Sequence, residues 1–214
     1  MKKVLITGVS KGIGKALSLH FLEKGFFVVG VGKNRPDYSH ENFVFFENDF
    51  ENYKEIKIDF SFDIVVLNSG ITIYKRLKDI EQYDVERVFK VNLFGNLLTL
   101  KSIAKNLKQN AVVSFISSIA ALEKNNFEFW GLYSSSKTAM EKALMIFAKE
   151  EKFKLLLFNL GRVDTDIWKE VSGKERYLSR ISLKDTASLI EKEMEKALSK
   201  KTFSFKRVVI EQAQ

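Results

Sequence analysis

An apolar run, Val4-Leu5-Ile6, leads directly into Thr7-Gly8-Val9-Ser10-Lys11-Gly12-Ile13-Gly14, and Ala16, Leu17, Leu19 and Leu22 then recur at helical spacing. This succession of buried strand, glycine turn and helix constrains the chain more than any other stretch. A strand that turns sharply into a helix aims unpaired backbone N–H groups, and the positive end of the helix dipole, at one point in space. A phosphate or pyrophosphate is the natural occupant of that point. Glycines are needed because a Cβ would obstruct the tight turn, the ligand's close approach, or the packing of helix on strand. The spacing is Gly-xxx-Gly-x-Gly and lacks the Gly-Lys-Ser/Thr ending of a P-loop. At the first strand–helix junction it predicts a dinucleotide site.

Further short apolar runs follow, and each stops on a polar or glycine cluster. Phe26 to Val31 ends at Lys33-Asn34-Arg35-Pro36-Asp37, which contains the one proline; Asn42 to Phe46 ends at Asn48-Asp49. Asp63 to Leu67 closes on Asn68-Ser69-Gly70, Ala111 to Ile116 on Ser117-Ser118, and Lys154 to Phe158 runs on to Gly161–Thr165. Helical patterns cover about Asp79 to Leu107, with Asn92 inside, then Gly131 to Glu151 and Ser182 to Ser199, before a last strand from Phe203 to Ile210. The link between the second and third strands is too short and polar for a full helix. Buried strands alternating with helices predict an α/β protein: a single-domain doubly wound parallel sheet of Rossmann type, spanning 1–214, with helices on both faces. Ligands are expected beyond the carboxyl ends of the strands, where the polar clusters fall.

Composition narrows the function classes. The chain has no cysteine, and its two histidines, His20 and His40, are too scattered for a cluster, so no metal site is expected. No apolar run approaches the roughly 20 residues of a membrane span, and Met1-Lys2-Lys3 enters a strand directly, without a signal peptide. These features point to a cytoplasmic protein with no membrane partner. The net charge of +8 is spread among acids, as in Glu191-Lys192-Glu193-Met194-Glu195-Lys196. Interspersed signs mark a solvated helix face and not a nucleic-acid stripe.

Tyr133-Ser134-Ser135-Ser136-Lys137 is the most chemical constellation. A tyrosine and a lysine four residues apart on a helix share one face. A nearby ammonium and a first-turn position both favour the phenolate, so the pair can supply an acid–base group. Together with Thr7-Gly8-xxx-Gly12-x-Gly14, Asn68-Ser69-Gly70, Asn92 and Ser118, in this order, it resembles the short-chain dehydrogenase/reductase family from the first strand to about Thr165.

The resemblance implies a hydride-transferring oxidoreductase that interconverts a small-molecule carbonyl and an alcohol. Tyr133 would be general acid or base, Lys137 would lower its pKa and hold the nicotinamide ribose, and Ser118 would hydrogen-bond the substrate oxygen. Asn92 matches the residue that holds a relay water. Thr7, Gly8, Ser10, Lys11, Gly12, Ile13, Gly14, Asn68 and Gly70 would cradle the cofactor, Asp49 would meet the adenine and Thr165 the carboxamide. A homodimer or homotetramer is likewise implied by the family. The competing reading is a non-catalytic dinucleotide-binding sensor or scaffold of the same fold.

Some positions depart from the family pattern. Asn68-Ser69-Gly70 replaces Asn-Ala-Gly, and Leu160-Gly161 replaces Pro-Gly, which is expected to loosen the cofactor loop. The interval from Ser118 to Tyr133 is slightly long and contains Phe127, Phe129 and Trp130, candidates for a pocket wall. Counting from Ser117 would lengthen it further, which favours Ser118. The charged lid from Asp166 to Ser182, in which Ile167 and Trp168 could face ligand, leans toward a small or polar substrate. An NAD-preferring site places an acid at the end of the second strand. Here Lys33 stands there and Lys11 lies in the glycine turn, so NADP(H) is favoured and NAD(H) is the alternative.

Overall fold

A computed structural model describes residues 1–169, 171, 179–200 and 205–211. Seven strands form one parallel sheet: β1 (Lys3–Thr7), β2 (Phe27–Gly32), β3 (Phe43–Glu47), β4 (Phe62–Leu67), β5 (Leu107–Ser118), β6 (Lys154–Leu160) and β7 (Phe205–Ile210). Their spatial order is β3-β2-β1-β4-β5-β6-β7. The order reverses between β1 and β4, which register Val4 on Ile64 and Ile6 on Val66. A crevice opens at the carboxyl ends of such a pair, because successive connections leave on opposite faces.

The strands read as continuous apolar runs because both faces are covered. Val4 and Ile6 point to one side with Leu17 and Phe21 of α1 (Gly12–Glu23) and Ile190 and Met194 of α5 (Leu183–Ser199). Leu5 points to the other with Leu100 of α3 (Asn96–Ile103) and Met140 and Leu144 of α4 (Gly131–Glu151). The last strand of the sequence analysis begins at Phe205; its first two expected residues lie outside the described ones, as do residues 170 and 172–178 of the expected lid. No helix among the described residues is long and apolar enough to cross a membrane.

Two expectations need correcting. The long helix expected over Asp79 to Leu107 is not continuous: α2 (Gln82–Phe89) passes into a π-helical turn at Lys90–Gly95 before α3. Hydrophobic periodicity does not register one widened turn, and such turns recur at functional sites. The carbonyls it displaces are met by the Asn96 side chain, whose Nδ2 donates to Val91 at 3.1 Å and Asn92 at 3.3 Å. Strand β5 starts at Leu107, four residues earlier than expected, through an irregularity where Asn110 adopts φ 69°. The polar Lys108-Gln109-Asn110 hides that extension from an apolar pattern.

Candidate active site

The glycine turn is built as its spacing requires. Gly8 has φ +74°, and a Cβ on Gly14 would stand 2.1 Å from the Gly8 carbonyl oxygen. The turn is pinned to β4 by Asn68, whose Nδ2 donates to the carbonyls of Thr7 at 2.9 Å and Gly8 at 3.2 Å. Thr7 is wholly buried, and its hydroxyl donates to Asn96 at 2.8 Å while accepting N–H bonds from Asn68 and Ser69 at 2.8 and 3.0 Å. A hydroxyl has one donor and two acceptor sites. Thr7 thus ties β1, β4 and α3 together with no hydrogen bond left for a ligand.

A cleft of about 600 Å³ lies over this crevice. Ser10, Lys11, Gly12 and Ile13 line it at one end, with Lys33 and Asp49 beside them, and Ser118, Tyr133 and Lys137 line the other. The first N–H groups of α1 have no intrahelical partner, and Gly12 and Ile13 present them toward the cleft. The residues present therefore fit an elongated dinucleotide whose pyrophosphate sits at the turn. Thr165 stands over Gly12, with its Cγ2 3.6 Å from where a Cβ there would lie. Lys33 Nζ is paired with Asp49 at 2.9 Å, and Lys11 Nζ is 3.6 Å from Asp166. Burial alone would raise the Asp49 carboxyl, but its bonds to Lys33 and the Glu51 N–H hold it below the usual range. The loop after β6 is tied at its root despite Leu160, since the Gly161 N–H donates to Ile210 at 2.8 Å.

Tyr133 and Lys137 project from the first turns of α4 toward the ends of β4 and β5. Lys137 Nζ donates to the Ile116 carbonyl at 2.8 Å and lies 5.6 Å from the centre of the Tyr133 ring. Gly70 lets the chain pass close by; a Cβ there would be 3.1 Å from the ammonium. The expected phenolate-favouring effect is reversed. Burial pushes the Tyr133 phenol up to about 12, against a hydrogen bond with Ser118 that pulls it down. Burial also lowers Lys137 to about 8, against the attraction of Glu141. A phenol so placed keeps its proton at neutral pH and can give it up only to an oxygen gaining negative charge.

The two serines divide their work. Ser118 Oγ accepts the Ala120 N–H at 3.1 Å and meets Tyr133, whereas Ser117 Oγ donates to Glu141 at 2.5 Å. Asn92, fully buried in the π turn, clamps Ile71: its Oδ1 accepts the Ile71 N–H at 2.8 Å and its Nδ2 donates to the Ile71 carbonyl at 2.9 Å. The same Nδ2 reaches Ser136 Oγ at 2.9 Å, so the side chain braces α4 against the loop after β4.

Sequence reasoning missed two residues of this site, Glu141 and Tyr74. Glu141, one turn beyond Lys137, accepts from Asn159 Nδ2 at 2.7 Å and pairs with Arg207 at 2.8 Å. An aromatic cluster stands against Tyr133: Trp130 meets it edge-on at 5.5 Å, and Trp168 and Tyr74 meet Trp130 at 5.7 and 5.5 Å. Phe129 stacks on Tyr74 at 5.0 Å. The long Ser118–Tyr133 interval already marks Phe129 and Trp130 as wall candidates and the lid marks Trp168, and Trp130 and Trp168 line the cleft; no sequence signal marks Tyr74. Among the described residues, no group of three or more acidic or histidine side chains could hold a metal ion.

Sheet order, glycine turn and cleft define a Rossmann-type α/β protein. The short chain dehydrogenase family model matches residues 2–176, and the chain belongs to the short-chain dehydrogenase/reductase family of oxidoreductases. It is 30% identical to the "NADPH-dependent 3-dehydrocapnine reductase" of Ornithobacterium rhinotracheale, over 83% of this chain and 71% of that protein. It is 27% identical to the "Benzil reductase ((S)-benzoin forming)" of Bacillus subtilis, over 78% and 76% of the two chains. The crystal structure of a short chain dehydrogenase family protein from Francisella tularensis superposes with a TM-score of 0.82 at 25% identity, covering 98% of this chain and 97% of that one.

Proposed function

We propose that this protein, working as one domain over 1–214, is an NADP(H)-dependent oxidoreductase that interconverts a carbonyl and a secondary alcohol. The observation that carries the reading is the convergence of Tyr133, Ser118 and Lys137 at one end of a cleft whose other end is the glycine turn. The nicotinamide, when bound, supplies the hydride for reduction or accepts it in oxidation. Ser118 holds the substrate oxygen, and Tyr133 donates its proton to that oxygen as charge develops there. The positive charge of Lys137, directed by the Ile116 carbonyl, favours the phenolate left behind. Asn92 is a positioning residue, holding the loop after β4 and α4 at a fixed separation.

NADPH is favoured over NADH because β2 is followed directly by Lys33 with no acid in that position, and Lys11 supplies a second cation at the turn. The Ornithobacterium relative, named as NADPH-dependent, agrees with this choice. The test is Tyr133→Phe with both readouts. Reduction of carbonyl compounds should fall by about a thousandfold or more while NADPH binding stays nearly intact. Turnover surviving in the variant would remove Tyr133 from the chemistry, and a parent that binds NADPH but reduces nothing across a broad carbonyl panel would favour a sensor or scaffold.

A further inference from the structure

The glycine turn and the proton-donating tyrosine belong to different elements, and one chain of hydrogen bonds joins them. Thr7, the last residue of β1, donates from its hydroxyl to Asn96 Oδ1 at 2.8 Å. Asn96 Nδ2 donates in turn to the carbonyls of Asn92 at 3.3 Å, Val91 at 3.1 Å and Ser69 at 2.9 Å. Asn92 Nδ2 reaches Ser136 Oγ at 2.9 Å, and Ser136 donates to the Tyr133 carbonyl at 2.7 Å. Thr7, Asn92, Asn96 and Ser136 are all wholly buried. Bonds made so far from solvent are strong, and leaving one of their groups unmet is costly.

Asparagine suits the middle of this chain. Its planar amide offers one acceptor and two N–H donors, here facing one hydroxyl and three carbonyls. Two of those carbonyls belong to the widened turn at Lys90–Gly95, and the third to Ser69, which borders the cleft. An isosteric aspartate would keep the acceptor for Thr7 but set a second oxygen against three others.

The chain bears on the reaction because a dinucleotide in the cleft is held at the turn by its pyrophosphate and reacts beside Tyr133. Hydride and proton must converge on one carbonyl group, and a misplacement of about 1 Å costs about a hundredfold in rate. Helix α4 packs on the sheet through apolar contacts, which are non-directional. The directional bonds through Asn96 supply what that packing lacks.

We infer that Asn96 is a positioning residue for the reaction, fixing the separation of the glycine turn and Tyr133 by joining Thr7 to Asn92. The inference rests on the proposed carbonyl-reducing function and adds a residue to it.

The experiment compares Asn96→Asp, Thr7→Val and Thr7→Ser with the parent, using NADPH and three carbonyl probes: diacetyl, benzaldehyde and cyclohexanone. Asn96→Asp should lower kcat about a hundredfold. Its KM and NADPH dissociation constant should stay within about threefold of the parent's, the pattern of a group that acts on the transition state alone. Thr7→Val cuts the chain at its other end and should lower kcat about tenfold, and Thr7→Ser, which keeps the hydroxyl, should restore it. The loss from Thr7→Val should largely vanish when Asn96→Asp is already present, since both break one chain.

Amide exchange reads the chain without turnover. Thr7 does not touch α4, yet Thr7→Val should speed exchange severalfold at the first turns of that helix, where the Ser134 N–H is held by the Trp130 carbonyl at 2.8 Å. Leu156 of β6 should be unchanged. A parental kcat in either Asn96→Asp or Thr7→Val would overturn the inference. So would kcat and NADPH affinity that fall together without recovery in Thr7→Ser, the mark of a merely structural role. If Asn96→Asp does not fold, the two Thr7 variants carry the same decision. A parent that turns over none of the probes, with faster α4 exchange in Thr7→Val, would reject the carbonyl-reducing reading and support the fixed separation. Unchanged exchange would overturn the inference in either case.

Discussion

The Arg207 guanidinium closes on the Glu141 carboxylate at 2.8 Å, joining the outermost strand to the helix that carries Tyr133 and Lys137. Arg207 also donates to Asn159 at 2.7 Å, and Asn159 and Ser117 both donate to Glu141. One buried carboxylate thus gathers β5, β6 and β7 beneath α4.

Arg207→Met strands that carboxylate. Losing a partner of a buried ion pair costs about 3–5 kcal/mol. The arginine side chain is 33% exposed, so about 2 kcal/mol is expected here. Urea unfolding should show a lower midpoint at unchanged slope. A midpoint equal to the parent's would mean the contact does not hold the strand.

The same carboxylate sets a pH limb. Lys137, lowered to about 8 by burial and raised by Glu141, is charged below that pH and neutral above it. Tyr133, near 12, keeps its proton throughout. Reduction should hold up to about pH 8 and decline beyond it, and Glu141→Gln should move the decline to lower pH. An unmoved limb would separate Glu141 from Lys137. Stability carries the complementary sign. The folded value lies below the unfolded 10.5, so the unfolded chain binds more protons between these values and stability rises with pH across that window. Tyr133 acts oppositely between 10.0 and about 12, where unfolded chains lose the phenol proton first and stability falls.

The proposed cofactor choice rests on two exposed lysines. Lys33 is drawn to Asp49, and its ammonium is held above the ordinary value by that hydrogen bond and charge. Lys11→Ala with Lys33→Ala should largely erase an NADPH-over-NADH preference in binding titrations, while NADH affinity changes little. A preference that survives the double substitution would place the discrimination elsewhere.

Much of this was legible because it is local. The glycine turn, the strand ends and the Tyr133–Lys137 spacing depend on residues close in the chain, and α4 begins and ends at Gly131 and Glu151 as its pattern indicates. What escaped depends on distant partners. The interval to Tyr133 favours Ser118 over Ser117, but what Ser117 does instead shows only when Glu141 claims it from 24 residues away. The environment of Tyr133 also misled: a lysine one turn away implies a depressed phenol pKa, yet burial, a property of the whole fold, outweighs it. Lys33 reads as a free cation, whereas the parallel β2–β3 pairing brings Asp49 within reach.

The widened turn at Lys90–Gly95 gives the chain's length a mechanical meaning. A π turn accommodates one residue more than the α-helix around it, so its neighbours keep their facing toward the core while Asn92 is offered inward. Excising any single residue from this stretch would let the helix close up into regular geometry and rotate Asn92 out of line with Ile71 and Ser136. The spacing of α4 from the loop it braces is therefore written partly in a residue count, and a one-codon deletion there would act on the site as severely as replacing the asparagine.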